Sequence, residues 1–290
     1  MSARADAQRI LVAGASAGIG AALVRALAAD GHRVFACARR LERLREVTES
    51  DRLAHSTRCD IAEEADVRTL VQWLGDRVDA LDATIVCAGA FGPIGPFEVT
   101  DSAAWLATLR ANVFGTYLVV KHTLPLLERG RRPRVLAFSG GGAFGTFPRY
   151  SAYATSKAAV VRLIECLADE LRERGIAVNA VAPGMVATEI HAATLQAGPA
   201  LAGDSHFERT RAVVDAAGGV PMSEPVDCVK FLLSPAADGL TGKTVAANFD
   251  PWREERYRAH LKDIAASEVY TLRRINPAQL GDDPLKERLS

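Results

Sequence analysis

Residues 9–30 read RILVAGASAGIGAALVRALAAD. Arg9–Ala13 is a short run, apolar after its first residue, and it enters a glycine-rich turn with no spacer. A helical, alanine-rich pattern follows over Gly18–Asp30. A strand that feeds a helix through glycines has a physical use. Glycine lets backbone come close to a pyrophosphate, and the helix N-terminus then offers unpaired N–H groups and a positive dipole end. Gly14, Gly18 and Gly20, with Ser16 and Ile19 among them, are therefore candidate dinucleotide-binding positions. The spacing G-x-x-x-G-x-G also occurs in ordinary turns. Its place between a strand and an apolar helix gives it weight.

The same alternation runs along the chain. Arg33–Ala38, Leu53–Cys59, Ala83–Cys87, Arg134–Phe138, Ala177–Val181 and Thr244–Ala247 read as further strands. Helical patterns lie over Leu41–Glu49, Ala62–Arg77, Ser102–Ala111 running into Asn112–Leu127, and Ser151–Arg174. Strands apolar on both faces, separated by amphipathic helices, require a sheet covered on both sides. The expected fold is α/β: a single doubly wound Rossmann-type domain with a central seven-stranded parallel sheet and helices on both faces. A ligand in such a sheet lies at the carboxyl ends of the strands. Residues 1–247 are read as this domain. Within it, residues 189–224 are rich in Ala, Gly and Pro and read as a substrate loop or lid. Residues 248–290 are charged and read as an extension, not an independent domain; they could contact a partner or strap the chain's own site.

Composition excludes several classes. The chain has 290 residues, 49% of them hydrophobic, with 35 basic and 35 acidic side chains. That balance gives no electrostatic footprint for nucleic acid or for an anionic membrane. No stretch is read as reaching the roughly 20 apolar residues of a membrane helix. The start, MSARADAQRI, has no leader-like apolar core. Cys37, Cys59, Cys87, Cys166 and Cys228 are scattered and odd in number, as expected of free thiols in a reducing, cytoplasmic setting. The six histidines show no metal-ligand spacing, and no metal is expected.

The strand ends carry the chemistry. The second ends Cys37-Ala38-Arg39-Arg40, with no acid to accept a ribose 2′-hydroxyl. Arg39 suits a 2′-phosphate instead, with Ser16 as an added donor, so NADP(H) is favoured over NAD(H). Asp60, after the third strand, could meet an adenine amino group or cap the following helix. Ala88 and Gly89, after the fourth, leave room for a ribose. Tyr153 and Lys157 share a helix face four residues apart. An ammonium beside a phenol favours the phenolate and brings its ordinary pKa of about 10 toward neutrality.

The glycine turn, Asp60, Cys87-Ala88-Gly89, Asn112, Tyr153-x-x-x-Lys157 and Pro183-Gly184 followed by Thr188 stand in an order and spacing that resemble the short-chain dehydrogenase/reductase family over roughly residues 8–247. The resemblance implies a nicotinamide-dependent oxidoreductase acting on a small molecule, assembled as a homodimer or homotetramer through the helices around 101–128 and 151–174. It implies Tyr153 as proton carrier and Lys157 as its partner and ribose anchor. It implies Asn112 at a helix kink holding a water, and Pro183, Gly184, Val186 and Thr188 around the nicotinamide. The family's usual Thr before the glycine turn is Ala13 here, and its usual Asn-Asn-Ala-Gly is Val86-Cys87-Ala88-Gly89.

One departure touches the chemistry. The family sets a substrate-binding serine thirteen residues before the tyrosine, and that position is Gly140. Ser139 lies one residue early, and neighbouring side chains on a strand face opposite ways. Ser139 could be re-aimed by a bulge among Gly140, Gly141 and Gly142. Glycine N–H groups or a substrate hydroxyl could hold the carbonyl instead. Redox activity could be lost. The expected activity is interconversion of a secondary alcohol and a ketone on a bulky or polyhydroxylated substrate. A redox-neutral epimerase with tightly bound cofactor, or a non-catalytic NADP(H)-binding protein, are the alternatives.

Overall fold

The computed structural model describes residues 7–49, 51–215 and 218–274. Among them, β1 (Arg9–Ala13), β2 (Arg33–Ala38), β3 (Ala54–Arg58), β4 (Ala83–Val86), β5 (Arg134–Phe138), β6 (Ala177–Ala182) and β7 (Thr244–Ala246) pair in the order β3-β2-β1-β4-β5-β6-β7. Every pairing is parallel. The helices α1 (Gly18–Ala29), α2 (Leu41–Thr48), α3 (Glu64–Gly75), α4 (Ser102–Leu109), α5 (Gly115–Leu127) and α6 (Ser151–Glu170) follow the expected plan.

Strand periodicity divides the core. Ile10 and Val12 face a cluster that includes Leu23 and Leu27 of α1. Leu11 and Ala13 face the other, with Val67 of α3, Leu118 of α5 and Val160 of α6. Each such fully buried aliphatic side chain contributes about 1.5–3 kcal/mol. Strand order reverses direction between β1 and β4, which opens a crevice at their carboxyl ends.

Three sequence expectations need correction. Residues 189–224 are not a loop. They hold a 3₁₀ turn (Glu189–His191), α7 (Ala192–Ala202) and α8 (Asp204–Asp215), and they end inside α9 (Ser223–Leu233). Gly198, at φ 75°, and Pro199 break α7 and hide its periodicity in the sequence. The helix α9 was not anticipated; Pro225 in its first turn obscures it, although proline is tolerated there. The run Ser102–Leu127 has the expected bounds but is more apolar than expected. It forms one 26-residue helical stretch, long and apolar enough to cross a membrane, interrupted by Arg110 and Lys121 and packed on α3 and α6.

The described part of the extension, residues 248–274, includes α10 (Glu255–Ala259) and α11 (Leu261–Ala266). Trp252 stacks on Phe231 of α9, its ring centroid 5.5 Å away. Tyr257 and Leu261 join the α1-side cluster, and the Tyr270 carbonyl accepts from Thr244 N–H beside β7. Residues 275–290, the rest of the extension, lie outside the described residues, as do residues 1–6 of the chain's start.

At the opposite end of the sheet from the crevice, Asp82 is fully buried and accepts from the Arg9 backbone at 2.8 Å, from Arg9 Nε and Nη2 at 3.0 Å, and from the Arg131 amide at 2.7 Å. Burial pushes its carboxyl up, but the Arg9 and Arg131 hydrogen bonds outweigh it and the net shift is down. A lowered carboxyl stabilises the fold above its unfolded pKa of about 3.9, and the contribution is lost as pH falls through the folded value. Asp82→Asn is expected to cost about 1.5–3 kcal/mol in urea unfolding at neutral pH, with cofactor affinity unchanged.

Candidate active site

The crevice is lined by backbone. Gly14 sits at φ 85°, where an L side chain is strained, and a Cβ on it would lie 2.4 Å from the Ala88 nitrogen. The glycine turn and the end of β4 are thus in direct backbone contact, and α1 begins beside them at Gly18. From the other wall, Thr188 reaches within 3.3 Å of where a Cβ on Gly18 would stand. The 14–20 turn, Ala88–Gly89 and the Pro183–Thr188 segment thus meet at the carboxyl end of the sheet, beside the N-terminus of α1. Val186 is buried there, and its carbonyl accepts from Thr188 Oγ1 at 3.4 Å.

At the β2 end the two arginines part. Arg39 is 70% exposed, its Nη1 4.0 Å from Asp60 Oδ2. Asp60 Oδ1 accepts from the Ala62 amide at 3.1 Å in the turn before α3; it does not cap the helix as expected, because α3 starts only at Glu64 and Glu63 stands at its N-cap with no side-chain cap bond. Arg40 instead donates to Ser16 Oγ at 3.3 Å and to Glu189 Oε2 at 3.0 Å. Arg43 donates to Glu189 Oε1 at 2.6 Å. The hydrogen bond from Arg40, joined by the charge of Arg43, holds the Glu189 carboxyl below its ordinary range.

At the chemistry end, a π-turn over Arg110–Phe114 separates α4 from α5 and contains Asn112. Such a turn frees carbonyls and often marks a functional site. The Asn112 amide exchanges two hydrogen bonds with the Ala90 backbone, both 2.9 Å, and donates to Ser156 Oγ at 2.8 Å. It thereby joins the β4 exit, the kinked helix and α6. Lys157 Nζ donates to the Phe138 carbonyl at 2.7 Å and lies 5.7 Å from the Tyr153 ring centroid. A Cβ on Gly89 would stand 3.4 Å from that Nζ and 3.6 Å from Asn112 Oδ1, so Gly89, Lys157 and Asn112 converge.

Burial, rather than the neighbouring ammonium, governs the tyrosine. It pushes the Tyr153 phenol up to about 12 and brings the Lys157 ammonium down to about 8. Both groups are driven toward their neutral forms, contrary to the sequence expectation of a lowered phenol. Gly140 explains part of this packing. A Cβ there would lie 2.2 Å from the Tyr153 hydroxyl, so the phenol occupies space that a residue-140 side chain would need. Ser139 does not compensate by bulging. Its N–H donates to Val181 O at 2.9 Å, which continues the β5–β6 ladder, and the chain turns only afterwards, through Ala143 N–H to Gly140 O. Ser139 Oγ is buried and has no hydrogen-bond partner among the described residues.

Sequence reasoning missed the walls around Tyr153. Phe91 meets the Tyr153 ring edge-on at 4.7 Å and lies 5.8 Å from His191. Phe147 stacks on Tyr150 at 4.3 Å. The helix α7 is fastened to this cluster: Tyr150 OH pairs with Thr194 Oγ1 at 2.9 Å, and Arg149 Nη1 donates to Ala200 O at 2.6 Å. His191 Nδ1 is buried and has no hydrogen-bond partner among the described residues. Only the composition of residues 189–224 hinted at a lid; Glu189 and His191 carried no local signal.

Comparison with known proteins agrees with this geometry. The short chain dehydrogenase family model matches residues 8–198. A putative ketoacyl reductase of Streptomyces coelicolor is 32% identical over 83% of this chain and 95% of its own length. An L-fucose dehydrogenase of Oryctolagus cuniculus is 32% identical over 65% of this chain and 66% of its own. An actinorhodin polyketide ketoreductase variant crystallised with NADPH superposes with a TM-score of 0.75 at 30% identity, covering 84% of this chain and 97% of that one. The chain belongs to the short-chain dehydrogenase/reductase family. It is an NAD(P)-dependent oxidoreductase of the class that interconverts alcohols and ketones.

The Lys157 shift has a measurable sign. The unfolded lysine holds its proton to about pH 10.4 and the folded one only to about 8. The buried charge therefore penalises the fold most below pH 8, and the penalty fades as pH rises toward 10.4. In cofactor-free protein, the stability of wild type relative to Lys157→Met should rise by about 3 kcal/mol across that window in urea unfolding. A flat difference would contradict the shift.

Proposed function

We propose that the protein is an NADP(H)-dependent oxidoreductase that interconverts a secondary alcohol and a ketone on a bulky or polyhydroxylated substrate. The observation that carries the reading is the buried Tyr153 phenol, packed on the Gly140 backbone beside Lys157 and the Asn112 kink. Gly14, Ser16, Gly18, Ile19, Gly20, Asp60, Ala88, Gly89, Pro183, Gly184, Val186 and Thr188 would hold the cofactor, with Tyr153 and Lys157 at its ribose. Arg39 at the 2′-position supports NADP(H), as does the absence of an acid at the β2 tip. The NADPH in the actinorhodin ketoreductase relative is consistent with this.

When bound, the nicotinamide supplies or accepts hydride. Tyr153 donates the proton to the nascent alkoxide in reduction and removes it in oxidation. Its raised pKa keeps it protonated, the form reduction needs. Lys157 and Asn112 hold its surroundings, and the aromatic walls exclude water. The unbulged course of Ser139 favours a carbonyl held by glycine N–H groups or by a substrate hydroxyl over one held by Ser139 Oγ. The intact Tyr153, Lys157 and Asn112 set speaks against a protein that only binds cofactor. An epimerase would differ in retaining nicotinamide through purification and turning over without added cofactor. The bulky substrate is supported by three glycines that add no side chains to the pocket, and by relatives named for ketoacyl and sugar chemistry.

A homodimer or homotetramer is supported by the apolar face around α4 and α5, where Leu106, Phe114 and Tyr117 are exposed beside Phe97. The buried free thiols of Cys37, Cys59 and Cys228 suit a reducing, cytoplasmic setting.

Tyr153→Phe should cut turnover by about 10²–10⁴ while NADPH fluorescence titration shows unchanged binding. Retained turnover would sink the mechanism. Gly140→Ser places its Cβ against the Tyr153 hydroxyl and should lower kcat by about 10²-fold through misplacement of the phenol. A gain in kcat would mean that the phenol has room to yield.

A further inference from the structure

Glu189 follows Thr188, one of the residues expected at the nicotinamide, yet its side chain ends on Arg40, 149 residues away in sequence at the N-terminus of α2. Its two carboxylate oxygens are taken by two different guanidinium groups, Arg40 Nη1 at 3.0 Å and Arg43 Nη1 at 2.6 Å. Arg40 also reaches Ser16 Oγ in the glycine turn at 3.3 Å. Arg39 and Asp60 stand on the adjacent corner. Two arginines on one anion, with a hydroxyl beside one of them, are the kind of donor set that reads a phosphate monoester.

We propose that Glu189 is an internal stand-in for the 2′-phosphate of NADP(H): it holds Arg40 and Arg43 in the free enzyme, and the incoming 2′-phosphate displaces it. This deepens, and rests on, the NADP(H) reading above. The exchange is feasible because the side chains of Glu189, Arg40 and Arg43 are each about half exposed. Such exposed ion pairs are weak. A phosphate monoester brings about −1.5 to −2 charges and three acceptor oxygens against one carboxylate. NADH has no group to exchange, so it leaves the clasp closed. Glu189 therefore lowers NADP(H) affinity selectively, and the 2′-position is read by Arg40 and Arg43 as well as by Arg39.

The test is equilibrium titration of NADPH and NADH, by nicotinamide fluorescence, on wild type, Glu189→Gln and Arg43→Gln. Glutamine keeps the shape and removes the competing charge. Glu189→Gln should tighten NADPH by about three- to tenfold and change NADH by less than about twofold. Arg43→Gln should weaken NADPH and leave NADH unchanged. The pair 2′,5′-ADP and ADP, titrated by calorimetry, should repeat the same split without the nicotinamide. If wild type prefers NADPH but Glu189→Gln leaves it unchanged, weakens it, or tightens both cofactors equally, the stand-in is wrong and the cofactor reading survives. If wild type binds NADH as tightly as NADPH, the cofactor reading fails and the stand-in falls with it.

Discussion

A Cβ on Gly14 would lie 2.4 Å from the Ala88 amide nitrogen, so the β1 turn and the β4 exit meet backbone to backbone. The rest of the site depends on that approach. It sets α1 with its N-terminus facing the crevice, and it carries the chain from Ala88 past Gly89 to Ala90, whose peptide group is clamped by Asn112. Asn112 in turn reaches Ser156 on α6, one residue before Lys157. A side chain at residue 14 would push apart two strands whose side chains already fill both cores. The constraint is steric first and chemical only through its consequences.

Much of this was legible in the sequence because it is local. Strands apolar on both faces and the glycine turn pointed to the sheet, and the pair Tyr153 and Lys157 follows from helical spacing. The π-turn at Asn112 fell where a kink was expected. What was not legible depends on distance in the fold. Glu189 and its arginines are far apart in sequence, and no periodicity links them. Residues 189–224 read as a loop because Gly198 and Pro199 erase the helical pattern, while tertiary contacts such as Tyr150 to Thr194 hold the helices in place. Propensity is a weak prior where packing decides. The different courses of Arg39 and Arg40 are of the same kind: both lie at the β2 tip, and only the fold shows that Arg40 turns inward to Ser16.

The balance of burial against charge at Tyr153 and Lys157 was misjudged for a related reason. Four-residue spacing says that the two groups share a face; it does not say how dry that face is. With Phe91 edge-on to the phenol and α7 fastened to the same cluster, desolvation exceeds the attraction of the ammonium, whose nearest partner is the neutral Phe138 carbonyl. The free enzyme thus holds a neutral phenol and a lysine poised near neutrality. That state suits the reductive direction, in which a proton must leave the tyrosine only after charge has developed on the substrate oxygen.

The missing hydroxyl at Gly140 fits the same logic. A serine there would bring a polar group, and with it a Cβ, into the volume that the phenol fills. Its absence lets Tyr153 settle against bare backbone. On the proposed reading, the carbonyl oxygen of a substrate beside Tyr153 would meet peptide groups and the phenol itself rather than a side-chain hydroxyl. Backbone donors are fixed by the turn that follows Ser139, so they cost no side-chain ordering when the oxyanion forms. On the proposed reading, a pocket polarised by backbone also leaves width, to which α7 and α8 would give shape. Substrate selection in this enzyme is therefore expected to rest on the α7–α8 lid and the aromatic walls, with the residues at the strand ends left to proton and hydride transfer.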